Sequence, residues 1–368
     1  MPFGHFNKKK NASKASVCSS IRSRQNSNVT FDGRLQSSKL TTSISKSDVT
    51  AASDLDSDPK EKGDQFYNYH GRAFLPEVDG KQYLLPCDDE EVERMEVHEL
   101  ALWHVFRKSL FAPVADDLEE GIRVLEVGIG TGKWITDLAF NHPKSQFIGT
   151  DIYIYPTTDL PINCQFKPVD TTEGLPFPDN SFDYVVQRNA LYNYTRKEWE
   201  NIVIPEMIRV LKPGGWIEFV EGETTIQDAG PKMSTWLMRL NVTLQSRTIH
   251  TRVGRQLGHC LQSNPALQNV EASFRSVPLG WLGKVGDIAL EAHRRLFDSL
   301  RPRMCDDWDM EPFKYDLLTK SAITECKEFR SWSNYYYAIA QKSGDGNVTV
   351  PVIVVEPTVH QDEDEPYF

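Results

Sequence analysis

Short hydrophobic runs separated by polar or glycine-rich segments fill the middle of this 368-residue chain. Brief apolar runs rich in β-branched residues predict buried strands, whereas apolar residues spaced three and four apart predict helices. The two patterns alternate, which predicts an α/β fold with a mostly parallel, doubly wound sheet and right-handed crossovers. The expected strands are 123–127, 146–150, 164–168, 182–187 and 215–220, and the expected helices are 132–140 and 196–211.

The segment before this block contains an aromatic-rich lead-in and one helix. Aromatic and leucine residues from Phe66 onward are expected to pack on the domain. Asp88, with Glu91 three residues later, predicts a capped helix start, and the helix is expected to reach about Leu110. The acidic front of this helix suits the positive end of the helix dipole.

The segment after the alternating block is mostly helical. Residues 222–330 have amphipathic spacing, interrupted by one expected strand at 270–276. We expect these helices to form a cap over the sheet, and residues 331–340 to form the last strand. No internal repeat interrupts the pattern.

Composition divides the chain into three parts. Residues 1–64 are rich in Ser and Lys and poor in large apolar side chains, so they are expected to form a disordered arm. Residues 65–342 form the expected domain, and residues 343–368, with six acidic residues and no Lys or Arg, are expected to be a disordered acidic tail. Only the N-terminal arm is basic.

Charge and cysteine spacing exclude several classes of protein. The net charge of −11 argues against general attraction to nucleic acid. The six cysteines include no C-x-x-C pair, so neither a zinc site nor a disulfide framework is indicated, and no metal is expected. The chain has neither a long apolar run nor a secretory h-region, which predicts a cytoplasmic protein without membrane attachment. Nuclear import through Lys8–Lys10 stays open beside a plain solvated tail.

A glycine-rich turn follows the first strand of the alternating block, in the sequence RVLEVGIGTGK at 123–133. Gly128, Gly130 and Gly132 permit positive φ and leave out the Cβ that would keep a ligand away. The helix that follows would present free backbone amides to a polar group. The dinucleotide fingerprint G-x-G-x-x-G would need its last glycine at Lys133, so the spacing disfavours NAD.

The next expected strand ends in Asp151, which lies 19 residues beyond Gly132. A Rossmann-type sheet places the group that binds a ribose diol at this position. The pattern E-V-G-x-G-x-G followed by such an aspartate resembles the class I S-adenosylmethionine-dependent methyltransferases. The resemblance implies a Rossmann-like, seven-stranded, mostly parallel sheet and S-adenosyl-L-methionine as the cofactor.

On this resemblance, residues at the strand ends are expected to bind the cofactor. The glycine loop 128–132 would pass beneath its methionine and ribose portions, and Glu126 would attract the ammonium group or, alternatively, cap the turn. Asp151 would accept both ribose hydroxyls. Asp170 would take the adenine amino hydrogen with help from Thr171, with helix capping as the alternative role for Asp170.

The fourth strand leads to candidates for the acceptor site. Gln187 and Arg188 are expected at its carboxyl end, where open α/β sheets bind ligands, and Gln187 is included among the cofactor-binding candidates. The amino-methylating N-P-P-Y type motif is absent there. The catalytic residues are not defined by the sequence; Arg188, Tyr192 and Glu221 are candidates, with Glu221 and Glu223 as possible bases.

Three further segments carry a narrower resemblance: LLPCDDEE at 84–91, LPFPDNSFDY at 175–184 and IRVLKPGGWIE at 208–218. Together they are similar to fungal methyltransferase-domain proteins related to the LaeA-like regulators of secondary metabolism, over about residues 66–342. One departure is E-V-G-I-G, which begins at Glu126 where many relatives have D-V-G-C-G. Both changes keep charge or apolar character.

Three functional hypotheses follow. The first is methyl transfer from S-adenosylmethionine to an O, N or C nucleophile of an unidentified small-molecule or protein acceptor. The second is a regulatory protein that uses the methyltransferase-like domain as a binding scaffold, with the basic arm contacting a protein partner. The third, an NAD-dependent enzyme, is disfavoured by the glycine spacing.

Overall fold

The structure is a computed structural model that describes residues 66–77, 80–157 and 159–344. The expected arm 1–64 and almost all of the acidic tail lie outside the described residues. Two short strands, β1 (Tyr67–Tyr69) and β2 (Arg72–Phe74), form an antiparallel hairpin at the start of the described chain. Phe74 is fully buried, so the aromatic lead-in packs on the domain as predicted.

The remaining strands belong to one sheet. They are β3 (Arg123–Val127), β4 (Gln146–Asp151), β5 (Cys164–Pro168), β6 (Phe182–Arg188), β7 (Leu211–Glu221), β8 (Ile226–Gln227), β9 (Leu267–Pro278) and β10 (Trp332–Lys342). The strand order is β5-β4-β3-β6-β7-β10-β9, and the short β8 pairs with β10 beyond the end of β7. Strands β3 to β7 are mutually parallel, and β10 is inserted antiparallel between β7 and β9. The predicted mostly parallel sheet is confirmed, with seven main strands and the two-residue β8 as an eighth.

Helices cover both faces of this sheet. They are α1 (Asp89–Phe106), α2 (Ala115–Glu120), α3 (Lys133–Asn141), α4 (Arg196–Glu198), α5 (Ile204–Val210), α6 (Pro231–Ser246), α7 (Val253–Gln262), α8 (Lys284–Asp307) and α9 (Pro312–Glu328). One core contains Tyr184 of the sheet together with Trp236 and Phe297, whose rings stack 3.7 Å apart. The other contains Phe219 with Trp199 and side chains of α5 and α7. Among the described helices, none is both long enough and apolar enough to cross a membrane.

The predicted N-cap of α1 is present, and it also joins the helix to β2. The Asp88 side chain accepts a hydrogen bond from the Glu91 backbone N–H at 3.1 Å. The same carboxylate accepts two bonds of 2.7 Å from the Arg72 guanidinium, so it also fastens β2 to the helix. Burial opposes ionisation of both side chains, but their pairing outweighs it, so the pKa of Arg72 is raised and the pKa of Asp88 is lowered.

Two predicted helix boundaries are wrong. Helix α1 ends at Phe106 and does not reach Leu110, because Arg107 adopts a left-handed conformation with φ 55°. The single helix expected over 196–211 is divided by a π-helical turn at Trp199–Val203. Pro205 follows this turn and has no N–H for the regular hydrogen-bond ladder, which accounts for the break at this place.

Three strands of the sheet, β7, β9 and β10, are longer than predicted or extend beyond their predicted ends. Strand β7 begins at Leu211 instead of 215, because it includes the Lys-Pro-Gly-Gly turn residues. Strand β9 extends the expected 270–276 to Leu267–Pro278, and β10 extends to Lys342. Antiparallel pairing along nearly the whole of β10 satisfies backbone groups that a short strand would leave open.

We predict that Asp88→Ala lowers the free energy of unfolding by about 1 kcal/mol for the lost cap, with about 1.5–3 kcal/mol more for the charge-assisted bonds that Arg72 loses. Arg72 keeps its 3.5 Å contact with Glu90. Urea unfolding measures this loss. Asp89→Ala is the matched control, because Asp89 is an exposed carboxylate in the first turn of the same helix. Equal losses in both variants would contradict the role given to Asp88.

Candidate functional site

The glycine turn after β3 is fastened to the end of β4 by backbone hydrogen bonds. The Gly128 and Ile129 N–H groups donate to the Thr150 carbonyl at 2.7 and 3.1 Å. The Gly130 N–H donates to Asp151 Oδ2 at 2.9 Å. The turn and the end of β4 are therefore one unit at the carboxyl edge of the sheet, which lines an open cleft that we call the outer cleft.

Glycine is required at the three positions of the turn for different structural reasons. All three have positive φ: 76° at Gly128, 53° at Gly130 and 73° at Gly132. A Cβ at Gly128 would meet no described atom within 4 Å, so this position faces open space in the cleft. A Cβ at Gly132 would lie 2.4 Å from the Phe166 ring, and Gly132 does not line the cleft. Gly132 is therefore a packing residue, in contrast to its predicted cofactor contact.

Asp151 lies at the floor of the outer cleft. Burial raises the pKa of Asp151 to about 6, although bonds from the Gly130 and Tyr153 amides oppose the increase. A carboxylate has about four acceptor positions, and the bonds from the Gly130 and Tyr153 amides, at 2.9 and 3.5 Å, with a smaller contribution from the Ile152 amide, leave part of this capacity unused. The remaining lone pairs are open to a donor in the cleft.

Glu126 lies at the end of β3 with a side chain only 3% exposed. Its Oε2 atom is buried and has no hydrogen-bond partner among the described residues. Burial raises the pKa of Glu126 well above its usual value, and the nearby Arg188 charge opposes this. An unpaired buried carboxyl is costly unless a partner arrives from outside. Glu126 is thus poised to receive a donor in the cleft.

Arg188 reaches the same cleft from the end of β6. Its Nη2 donates to Glu99 Oε2 of α1 at 2.9 Å, and its guanidinium lies 5.4 Å from the centre of the Trp134 ring. Its Nε atom is buried without a partner among the described residues. Arg188 thus lies at the carboxyl end of β6 and lines the outer cleft, not the inner pocket. Gln187 is buried in the sheet and does not line the cleft, because successive strand residues point to opposite faces.

Asp170 and Thr171 line the far side of the outer cleft. Asp170 Oδ1 accepts hydrogen bonds from the Thr172 N–H at 2.8 Å and the Thr172 hydroxyl at 2.6 Å, which caps the short 3-10 helix Thr171–Glu173. The capping alternative is therefore what Asp170 does in this structure. Tyr83, which the sequence did not indicate, stands beside it: burial and the charges of Asp170 and Asp151 raise the pKa of Tyr83.

A second compartment, the inner pocket, adjoins the outer cleft. Side chains of α6 and α8 line it, including Trp236 and His293, so helices of the segment 222–330 form part of this pocket. Both compartments share a border formed by Leu85, Arg94, His98, Asn189 and Asn193.

Two of the predicted catalytic candidates line the inner pocket only. Glu221 Oε1 accepts the Ala190 N–H at 2.7 Å, and its Oε2 is buried without a partner among the described residues. Burial raises the pKa of Glu221 to about 8. Tyr192 is in the same pocket, and burial raises its pKa to about 12. Glu223 also lies there and is engaged with Arg255 at 2.8 Å.

A hydrogen-bonded chain at the border was missed by sequence reasoning. Asn189 Nδ2 donates to Glu99 Oε1 at 2.6 Å, and His98 Nε2 lies 3.1 Å from Asn189 Oδ1. His98 and Glu99 belong to a helix whose acidic start seemed explained by capping alone. The sequence feature that could have indicated this chain was Asn189, an amide residue just beyond a predicted strand end. In the structure Asn189 adopts φ 57°.

Comparisons with known proteins agree with this geometry. A family profile described as "Methyltransferase domain" matches residues 124–215. Methyltransferase str3 of Strobilurus tenacellus is 29% identical over 206 residues, which cover 54% of this chain and 70% of that protein. The secondary metabolism regulator laeA of Aspergillus niger is 31% identical over 157 residues, which cover 42% of this chain and 40% of that protein.

Two other similarities are weaker. The laeA regulator of Coprinopsis cinerea is 26% identical over 215 residues, and the chain spans about half of its length, at 53%. A solved structure, Haemonchus contortus phosphoethanolamine N-methyltransferase 2 with S-adenosylhomocysteine, aligns at a TM-score of 0.37 and 15% identity, over 68% of this chain and 58% of that one. At that score the alignment adds nothing to the topology described above.

A glycine turn bound to a carboxylate at the end of β4, at the carboxyl edge of a mostly parallel sheet, lies within the residues that match the methyltransferase domain profile. In this region the chain is similar to S-adenosylmethionine-dependent methyltransferases of class I. The curated relatives to which it is similar include the LaeA-like regulators named above.

We predict that Gly132→Ala destabilises the protein more than Gly128→Ala. Both variants place Ala at positive φ, which costs about 1–2 kcal/mol. Only Gly132→Ala also forces a methyl group against the Phe166 ring, and such overpacking typically costs about 1–3 kcal/mol more. Thermal or urea unfolding of the two variants measures the difference, and the opposite ranking would show that the packing argument is wrong.

Proposed function

We propose that this chain transfers the sulfonium methyl group of S-adenosylmethionine to an oxygen, nitrogen or carbon nucleophile of an acceptor held in the inner pocket. One observation carries the proposal: two buried carboxyl groups, Glu126 and Asp151, flank the glycine turn and keep acceptor positions unused. The cofactor presents an ammonium group and a ribose diol, which are the donors that such carboxylates bind.

The methionine end of the cofactor would lie near Glu126 and Arg188. The ammonium group would supply the missing partner of Glu126 Oε2 and would stabilise its ionised form. The unpartnered Arg188 Nε would donate to the carboxylate group. Gly128, with open space above it, would let the backbone approach this part of the cofactor.

The adenosine end would lie over the end of β4. Asp151 would accept the ribose hydroxyls with the lone pairs that Gly130 and Tyr153 leave unused. Because Gly130 already holds one carboxylate oxygen, Asp151 would not need to be ordered by the ligand. Thr171 and Asp170 line the place expected for the adenine ring.

The acceptor would approach the methyl group from the inner pocket. The two compartments meet at the border residues, so the nucleophile and the methyl group can be brought to about 3 Å in line. Trp236 and His293 on the cap helices cover the pocket and limit the access of water. In this arrangement Tyr192 and Glu221 contact the acceptor, not the cofactor.

We predict that S-adenosylhomocysteine binds and that its affinity falls as the pH is lowered through about 6. The pKa of Asp151 is raised to about 6 in the free protein, and hydroxyl donors bind the ionised carboxylate better, so protonation opposes binding. Glu126, whose pKa is also raised, would act in the same direction. Isothermal titration across this pH range measures the trend.

Asp151→Asn should weaken binding at pH 8 by about 1.5–3 kcal/mol, the usual value of a charge-assisted hydrogen bond. Its affinity should also depend less on pH than that of the wild-type protein. Asp116→Asn, at an exposed position of α2, is the matched control and should bind normally. Unchanged affinity in Asp151→Asn would remove the ribose role from Asp151.

One observation supports the regulatory alternative: two of the relatives named above are called secondary metabolism regulators. In that alternative the domain binds the cofactor but serves as a scaffold, and residues 1–64 contact a partner. Removing residues 1–64 separates the two functions. We expect the shortened protein to retain methyl transfer into a cell extract at the rate of the full chain; cofactor binding without transfer by either protein would favour the scaffold.

A further inference from the structure

The border between the outer cleft and the inner pocket is where methyl transfer must occur if the proposed function holds. Of the five residues that border both compartments, only His98 can take up a proton. Leu85 is apolar, the amides of Asn189 and Asn193 are not basic, and the guanidinium of Arg94 is always protonated. Among these five border residues, His98 is therefore the one side chain able to serve as a base.

Hydrogen bonds set the protonation state of this imidazole. A carboxylate can only accept, so the short bond between Asn189 and Glu99 Oε1 identifies the donating atom as Asn189 Nδ2. The other amide atom, Oδ1, must then accept, and His98 Nε2 at 3.1 Å must carry the hydrogen. His98 Nδ1 is left with a free lone pair. Glu99 and Asn189 thus act as positioning residues for a defined tautomer.

The surroundings keep His98 neutral. Burial and the Arg94 charge lower its pKa to about 4, with a smaller contribution from His293 of α8, whereas Glu99 and the bond to Asn189 oppose the change. The Tyr335 ring of β10 packs against the imidazole with 5.3 Å between ring centres. A neutral imidazole is the form that accepts a proton.

The other titratable groups of the inner pocket are less suited to this role. Glu221 and Tyr192 line the inner pocket only and do not reach the border, and burial raises the pKa of Glu221 to about 8 and that of Tyr192 to about 12. His293 Nδ1 bonds to the Ala289 carbonyl at 2.8 Å, which leaves Nε2 as an acceptor, but His293 does not reach the outer cleft. These groups are suited to orienting an acceptor.

The inner pocket is also electrically balanced and largely aromatic. Arg94 is paired with Glu91 at 2.7 Å, and Glu223 is paired with Arg255. The walls include the rings of Trp236, Phe297, Tyr192 and Tyr335. A charged acceptor would lose hydration in this pocket without gaining an unpaired countercharge, whereas a planar uncharged molecule would lose little.

We propose that the inner pocket receives an uncharged phenolic or enolic hydroxyl compound and that His98 Nδ1 is the general base for its O-methylation. This rests on the proposed function. As the acceptor oxygen forms its bond to the methyl carbon, the C–S bond breaks and its electron pair stays on sulfur. The O–H proton passes to His98, which later releases it to solvent. Positive charge moves from sulfonium to imidazolium, so the net charge of the site is unchanged.

The test uses the full chain with labelled S-adenosylmethionine and a fungal cell extract, followed by separation of protein, alkali-labile and alkali-stable small-molecule products. The variants are His98→Ala and the control His259→Ala, at an exposed position of α7. Binding of S-adenosylhomocysteine is measured first for each protein. Imidazole and pyrazole, two rings of the same size but very different basicity, are then added to His98→Ala.

We expect label in an alkali-stable, small-molecule ether, and a rate about 10²–10⁴-fold lower in His98→Ala with unchanged cofactor affinity. Imidazole, but not pyrazole, should restore part of the rate, which a merely structural role for His98 would not produce. His259→Ala should keep the wild-type rate.

Several results would overturn the assignment: a full rate in His98→Ala, no rescue by imidazole, or label in protein, in an amine or in an alkali-labile ester. No transfer by a protein that binds the cofactor would overturn it as well. Failure of the wild-type protein to bind S-adenosylhomocysteine would instead overturn the proposed function itself.

Discussion

The hydrogen bond from the Gly130 amide to the Asp151 carboxylate is the constraint on which the candidate site depends. It joins a turn after one strand to the last residue of the neighbouring strand, at 2.9 Å. The positive φ of Gly130 allows the amide to point at the carboxylate. The Gly128 and Ile129 amides also join this turn to the Thr150 carbonyl, and the bond from Gly130 holds the Asp151 carboxylate itself against the turn at the floor of the outer cleft.

Buried carboxyl groups are concentrated at the same end of the sheet, and each is used differently. Glu218 Oε2 accepts hydrogen bonds from the Phe111 and Ala112 amides and from the Tyr184 hydroxyl. Its Oε1 is buried without a partner among the described residues, but Glu218 lines neither compartment. Glu126 and Glu221 each keep one buried oxygen without a partner among the described residues. Because an unsatisfied buried carboxyl lowers stability, these two positions are where ligand binding gains most.

Much of the outer cleft could be predicted from the sequence because it is built from local patterns. The glycine spacing, the strand that ends at Asp151 and the polar residues after the third strand all lie close to strand ends, and parallel strands bring their carboxyl ends to one edge. Three details depend on packing that local patterns do not show. Gly132 is needed beneath Phe166, Gln187 points to the opposite face from Arg188, and Arg107 ends a helix that was expected to continue.

The sequence by itself determined the order of strands and helices, the glycine turn and the acidic residue that binds it, because these depend on short-range periodicity and on glycine's backbone freedom. Only the tertiary structure decided what lies beside them. His98 and Asn189 are 91 positions apart in the chain, yet they share a hydrogen bond. Contacts at such separation result from the packing of α1 against the sheet, and local sequence patterns do not predict that packing.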